Sequence, residues 1–127
     1  MTPDELREFC LSLPQAIETF PFGEGTAVFK TSGNGKVFAL VPVGGEVLSV
    51  SLKVDPDDGV ALRAQFAQIT PGYHLNKKHW ITVVLGGDVP DDLVEELVTD
   101  SHRLVRPKAP RPPNPYSGSS PTRSSSS

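Results

Sequence analysis

A chain of 127 residues, 37% of them apolar, is long enough for one hydrophobic core and too short for two ordinary domains. No run approaches the ~20 apolar residues that cross a bilayer, and the opening Met1-Thr2-Pro3-Asp4-Glu5 is acidic where a secretion signal is basic and then apolar. The net charge of −3 hides a division: residues 1–106 hold nine Lys/Arg against fifteen Asp/Glu, a net of −6, while residues 107–127 hold three basic residues and no acid. These features predict one cytoplasmic domain without membrane contact.

The opening TPDELREFCLSL has Thr2 and Glu5 at capping-box spacing, Pro3 at the first helical position, and Leu6, Phe9, Cys10 and Leu13 on one stripe. It predicts an amphipathic helix ended by Pro14, with Cys10 as a small core residue. A lone cysteine forms no internal disulfide, which agrees with a reducing compartment. From Ala16 to Val54 the pattern becomes short runs between glycines: AIETFPF, TAVFKT, KVFALVPV and EVLSVSLKV. This is a four-strand meander with hairpin turns at Gly33 to Gly35 and at Gly44 and Gly45. In the fourth strand Leu48, Val50, Leu52 and Val54 alternate with Ser49, Ser51 and Lys53, so the sheet has a dry and a wet face.

Asp55 and Pro56 read as an N-cap and first residue of a second helix, with Val60, Leu62, Phe66 and Ile69 on its buried side and Pro71-Gly72 ending it. The stretch YHLNKKH leads into a fifth strand, WITVVL. A last helix starts near Asp88 to Pro90 with Leu93, Val94, Leu97, Val98, Leu104 and Val105 as its apolar stripe. The order implies an α+β, two-layer domain over residues 1–106, an antiparallel sheet of about five strands with helices on one face. Residues 107–127, with six prolines and seven serines, bury too little surface to offset backbone entropy and read as a disordered basic tail. Its PRPPNP segment favours polyproline II.

Catalytic signatures are lacking: there is no P-loop, nucleophile elbow or HExxH, and the glycines of GEG and SGNG suit hairpin turns. A non-enzymatic protein without a cofactor is expected. His74 and His79 stand five apart, which does not set both on one helical face, so they are read as loop histidines and not as metal ligands. Asp91, Asp92, Glu95, Glu96 and Asp100 line the last helix, where the helix dipole and solvation already account for acids; weak divalent-cation binding is the functional alternative. The sharper candidate is nucleic acid. Lys77 and Lys78 can neutralise phosphates, His74 and Asn76 can hydrogen-bond, and Trp80 offers a stacking or packing surface. Lys53 on the wet face, and Lys30 and Lys36 on the neighbouring hairpin, can join them.

LPQAIETFPFG, GKVFALV, VSLKVDP and above all HLNKKHWITVVLGGDVPDDLVEELVTDSHRLV resemble the successive blocks of the MmcQ/YjbR family over residues 3–106. Where that family commonly has Tyr after the serine of the last block, this chain has His102 after Ser101. The resemblance implies a CyaY-like, frataxin-like fold and a double-wing DNA-binding protein whose wings are β-hairpins. It implies His74, Asn76, Lys77, His79 and Trp80 as signature residues, with Lys53 beside them. A protein-interaction module, and then a frataxin-like iron or divalent-metal protein, are the alternatives. The expected state is a monomer or weak dimer.

Overall fold

Thr2 starts the first helix by a reciprocal cap: its hydroxyl accepts the Glu5 N–H at 3.1 Å and the Glu5 carboxylate accepts the Thr2 N–H at 2.8 Å. In the computed structural model, which describes residues 1–72 and 75–107, this helix is α1 (Pro3–Ser12) and buries Leu6 and Cys10. Four strands follow: β1 (Ala16–Thr19), β2 (Thr26–Thr31), β3 (Val37–Pro42) and β4 (Ser49–Lys53). Then come α2 (Pro56–Gln65), β5 (Ile69–Pro71), β6 (Trp80–Val84) and α3 (Asp91–Val105). All strands pair antiparallel in the order β1-β2-β3-β4-β6-β5.

The α+β two-layer reading holds, with a sixth strand added. Ile69 was expected on the second helix, yet that helix ends at Gln65 and Ile69 opens β5 on the sheet edge, opposite Val83. Val60, expected on the buried side, is 59% exposed. The residue of α2 that is buried is Gly59, where a Cβ would lie 3.2 Å from Val54 Cγ2. The helix therefore seats by close backbone approach at Gly59, with Leu62 and, at its end, Phe66 half-buried against the core as the spacing predicts. On α3, Leu104 turns outward at 51% exposure while Val94, Leu97, Val98 and Val105 face the sheet. The expected strand AIETFPF stops at Thr19, leaving Phe20 and Phe22 exposed.

One face of the sheet carries Ala27 and Phe29 of β2, Val41 of β3, Val50 and Leu52 of β4, and Ile81 and Val83 of β6, packed with the helices into one core. The opposite, open face carries Ser49, Ser51 and Lys53 as the alternation predicts. Register adds Leu40 opposite Ser51, Val28 opposite Leu40, and Thr82, whose hydroxyl lies 2.9 Å from that of Ser51.

The β2–β3 register slips between Phe29 and Lys30, giving β3 one extra residue, Phe38. Its ring packs into the core, 5.2 Å from His102 in an edge-on arrangement. Beyond the Ala39–Leu52 pair, β3 and β4 are joined through α3 instead of directly. The buried Ser101 hydroxyl donates to the Phe38 carbonyl at 2.6 Å and accepts the Lys53 N–H at 2.8 Å. His102, also buried, donates from Nε2 to the Pro14 carbonyl at 2.8 Å.

Cys10 is fully buried, and burial, followed by the nearby Glu18 charge, pushes its thiol up to about 12. It is expected to resist a thiol reagent at pH 8 in the native chain and to react fully in denaturant; native labelling at the unfolded rate would contradict this burial. Because the folded value is the raised one, this contribution to stability is complete below the ordinary thiol range of about 8.5 and is lost as pH rises towards 12. Melting curves across that interval read it directly.

Candidate nucleic-acid interface

The topology gathers the lysines. Lys30 ends β2 and registers with Val37 of β3; Lys53 ends β4 and registers with Trp80, the first residue of β6. Both lie on the open face. Lys36 is exposed in the β2–β3 turn, and Lys77 and Lys78 are exposed in the loop that enters β6. These five are every lysine of the described residues, and they sit at one end of the sheet.

The loop has its own scaffold. The Asn76 carboxamide oxygen accepts the Lys78 N–H at 3.0 Å, forming a local turn, and the Asn76 carbonyl accepts the His79 N–H at 3.1 Å. The His79 carbonyl accepts the Val54 N–H at 2.8 Å, extending the β4–β6 ladder beyond Trp80. Gly72 closes the loop: its N–H bonds the Trp80 carbonyl at 3.0 Å, and a Cβ there would meet Trp80 Cβ at 2.8 Å. Trp80 and His79 are half-buried. His74 lies outside the described residues, as does the tail from Lys108 onward.

The hairpin bearing Lys30 and Lys36 is held by Asn34, a residue to which the sequence reading assigned nothing. Its oxygen accepts from the Thr31 hydroxyl and, at 3.0 Å, from the Lys36 N–H, while its Nδ2 donates to the Val105 carbonyl at 2.8 Å. The hairpin tip is thereby fastened to the end of α3. The signal in the sequence was the SGNG turn; its partner 71 residues away was not legible.

Acids are segregated from this face. Ten of the fifteen Asp/Glu lie on the three helices, and the single strand carboxylate, Glu18, registers with Phe29 on the helix-covered face and pairs with Arg7 at 2.9 Å. Glu24, Glu46 and Asp88 fall in loops at the other end of the sheet. The acids at the lysine end are Asp55, Asp57 and Asp58 at the start of α2, and Asp100, which pairs with Arg103 at 2.8 Å. On α3, Asp91, Asp92 and Glu96 are exposed and Glu95 is half-buried, and the Asp91 carboxylate takes the Met1 amine at 3.1 Å. Among the described residues no three His, Cys, Asp or Glu side chains converge as metal ligands would.

Residues 11–104 match the family model described as YjbR. An uncharacterised Escherichia coli O157:H7 protein, YbdF, is 37% identical over 99 residues, covering 78% of this chain and 80% of its own. The uncharacterised YjbR of Escherichia coli K12 is 34% identical over 103 residues, covering 81% and 86%. Among solved structures, a Deinococcus radiodurans protein with the DUF419 domain superposes with a TM-score of 0.76 at 48% identity, covering 81% of this chain and 77% of that one. A Pseudomonas syringae protein gives 0.74 at 30% identity, covering 84% and 100%. With a family match across most of its length and relatives above 30% identity over four-fifths of it, the chain belongs to the MmcQ/YjbR family.

Proposed function

We propose that this protein is a non-enzymatic DNA-binding domain whose contact surface is the lysine-bearing end of the open sheet face. The observation that carries the reading is the gathering of Lys30, Lys36, Lys53, Lys77 and Lys78 at one end of a face whose strands contribute no carboxylate. Net charge alone argues against a polyanion as partner, but the acids that make the domain negative are concentrated on the helix layer, and local field governs contact within a Debye length of about 10 Å. In this reading the lysines neutralise phosphates and Trp80 stiffens the loop through which Lys77 and Lys78 approach. Asn76 acts by shaping the turn, since its oxygen is already committed to the Lys78 N–H. The cavity adjoining this end, between α2 and α3, is about 120 Å³, well below the ~300 Å³ at which small-molecule sites begin, which supports a contact surface over a catalytic pocket.

Fluorescence anisotropy of labelled duplex DNA, titrated against the full chain from low to near-physiological salt, tests the reading. Five neutralised phosphates give a slope of log affinity on log salt of up to about −4.5. A slope near zero, or binding unaffected when the five lysines are replaced, would move the search to a protein partner.

A further inference from the structure

A second cavity lies at the other end of the sheet, on the helix-covered side, between the start of α1 and the β3–β4 hairpin. It measures about 620 Å³, within the range of binding sites for small molecules and peptide segments. Its floor is core: Ala27, Phe29 and Val41 are 4%, 1% and 8% exposed. Its rim is apolar and open, with Phe20, Val43 and Val47 at 47%, 53% and 60% exposure, the kind of patch that marks an interaction site. Charge at the mouth is one-sided. Arg7 is matched by Glu18 and the Met1 amine by Asp91, whereas Asp4 and Glu46 have no ion-pair partner among the described residues.

We propose that this groove is the seat of the chain's own segment 108–127. Three properties of that segment fit it. Its run Pro110-Arg111-Pro112-Pro113-Asn114-Pro115-Tyr116 has the composition that aromatic and apolar grooves recognise, with Tyr116 as its single aromatic anchor. It carries Lys108, Arg111 and Arg123 and no acid, opposite in sign to Asp4 and Glu46. It also reaches. Pro107 leaves α3 beside Gly33, where a Cβ would touch its ring at 2.6 Å, and the groove lies beyond the length of α1, ten residues and so about 15 Å. Polyproline rises ~3.1 Å per residue, so seven or eight residues cover roughly 20–25 Å and deliver Pro115 and Tyr116 to the rim. Tethering raises the effective concentration to the millimolar range, so a weak contact suffices for occupancy.

The test is a nitroxide on Ser119→Cys in the full chain, which labels that position alone because Cys10 is buried. Amide signals of residues 43–47 are expected to lose most of their intensity while those of Ser51 and Thr82 on the open face keep theirs. Adding Arg111→Glu and Tyr116→Ser should restore the lost signals. Uniform broadening, no broadening, or broadening centred on Ser51 and Thr82 overturns the proposal. So does loss that appears only when labelled and isotope-enriched molecules are mixed, because the groove would then hold the segment of a second copy.

Discussion

Replacing Ser101 by alanine is expected to lower the stability of the folded chain by about 3 kcal/mol, because two buried backbone groups lose their partner at once. The hydroxyl stands between the Lys53 N–H and the Phe38 carbonyl, joining β4 to β3 just beyond their last direct pair, Leu52 and Ala39. Alanine fits the space but neither donates nor accepts, and the position is fully buried, so water is not at hand to substitute. For a domain of this size the melting midpoint should fall by roughly 10–20 °C. Ser49→Ala, on the half-buried open face, is the comparison and should change stability by less than about 0.5 kcal/mol. If thermal or urea unfolding of the Ser101→Ala chain matches that of Ser49→Ala, the bridge contributes nothing and the two backbone groups must be satisfied otherwise. The same bond fixes the backbone of Lys53, so the variant also loosens one member of the lysine group.

Replacing Lys77 and Lys78 together by alanine should leave the melting midpoint unchanged and weaken DNA binding. Both side chains are exposed, and their loop is shaped by Asn76, Gly72 and the His79 carbonyl, none of which is altered. If each lysine neutralises one phosphate, the salt slope becomes shallower by about 2, equivalent to roughly 60-fold in affinity at 0.1 M salt relative to 1 M. Arg7→Ala, at the opposite end and already paired with Glu18, should leave the slope as it is. An unchanged slope in the double variant would take this loop out of the proposed interface even if the remaining lysines bind.

Much of the fold is legible locally. The capping box predicted α1 to within a residue, and the alternation of β4 predicted both of its faces, because hydrophobic period and cap chemistry act over neighbouring residues. The reading failed where distance along the chain intervened. Ile69 continued the apolar spacing of α2, yet β6 offered it a ladder partner in Val83, and pairing outweighed helix period. Val60 and Leu104 were placed inside by the same spacing and lie outside, since a helix buries only what its neighbours leave room to cover.

The sequence by itself determined that this is one α+β domain with a sheet wet on one side, a lone core cysteine and a lysine-bearing loop before the last strand. Those follow from period, composition and turn chemistry, which are properties of adjacent residues. Tertiary structure brought the five lysines that the sequence offers as candidates to one end of the sheet, and set two-thirds of the carboxylates on the helix layer. It alone decided that Ser101 bridges Phe38, 63 residues away, to β4 and that Asn34 fastens a hairpin to α3. Strand order and register set these meetings, and both result from the cooperative burial of a single core, which no short window of sequence contains.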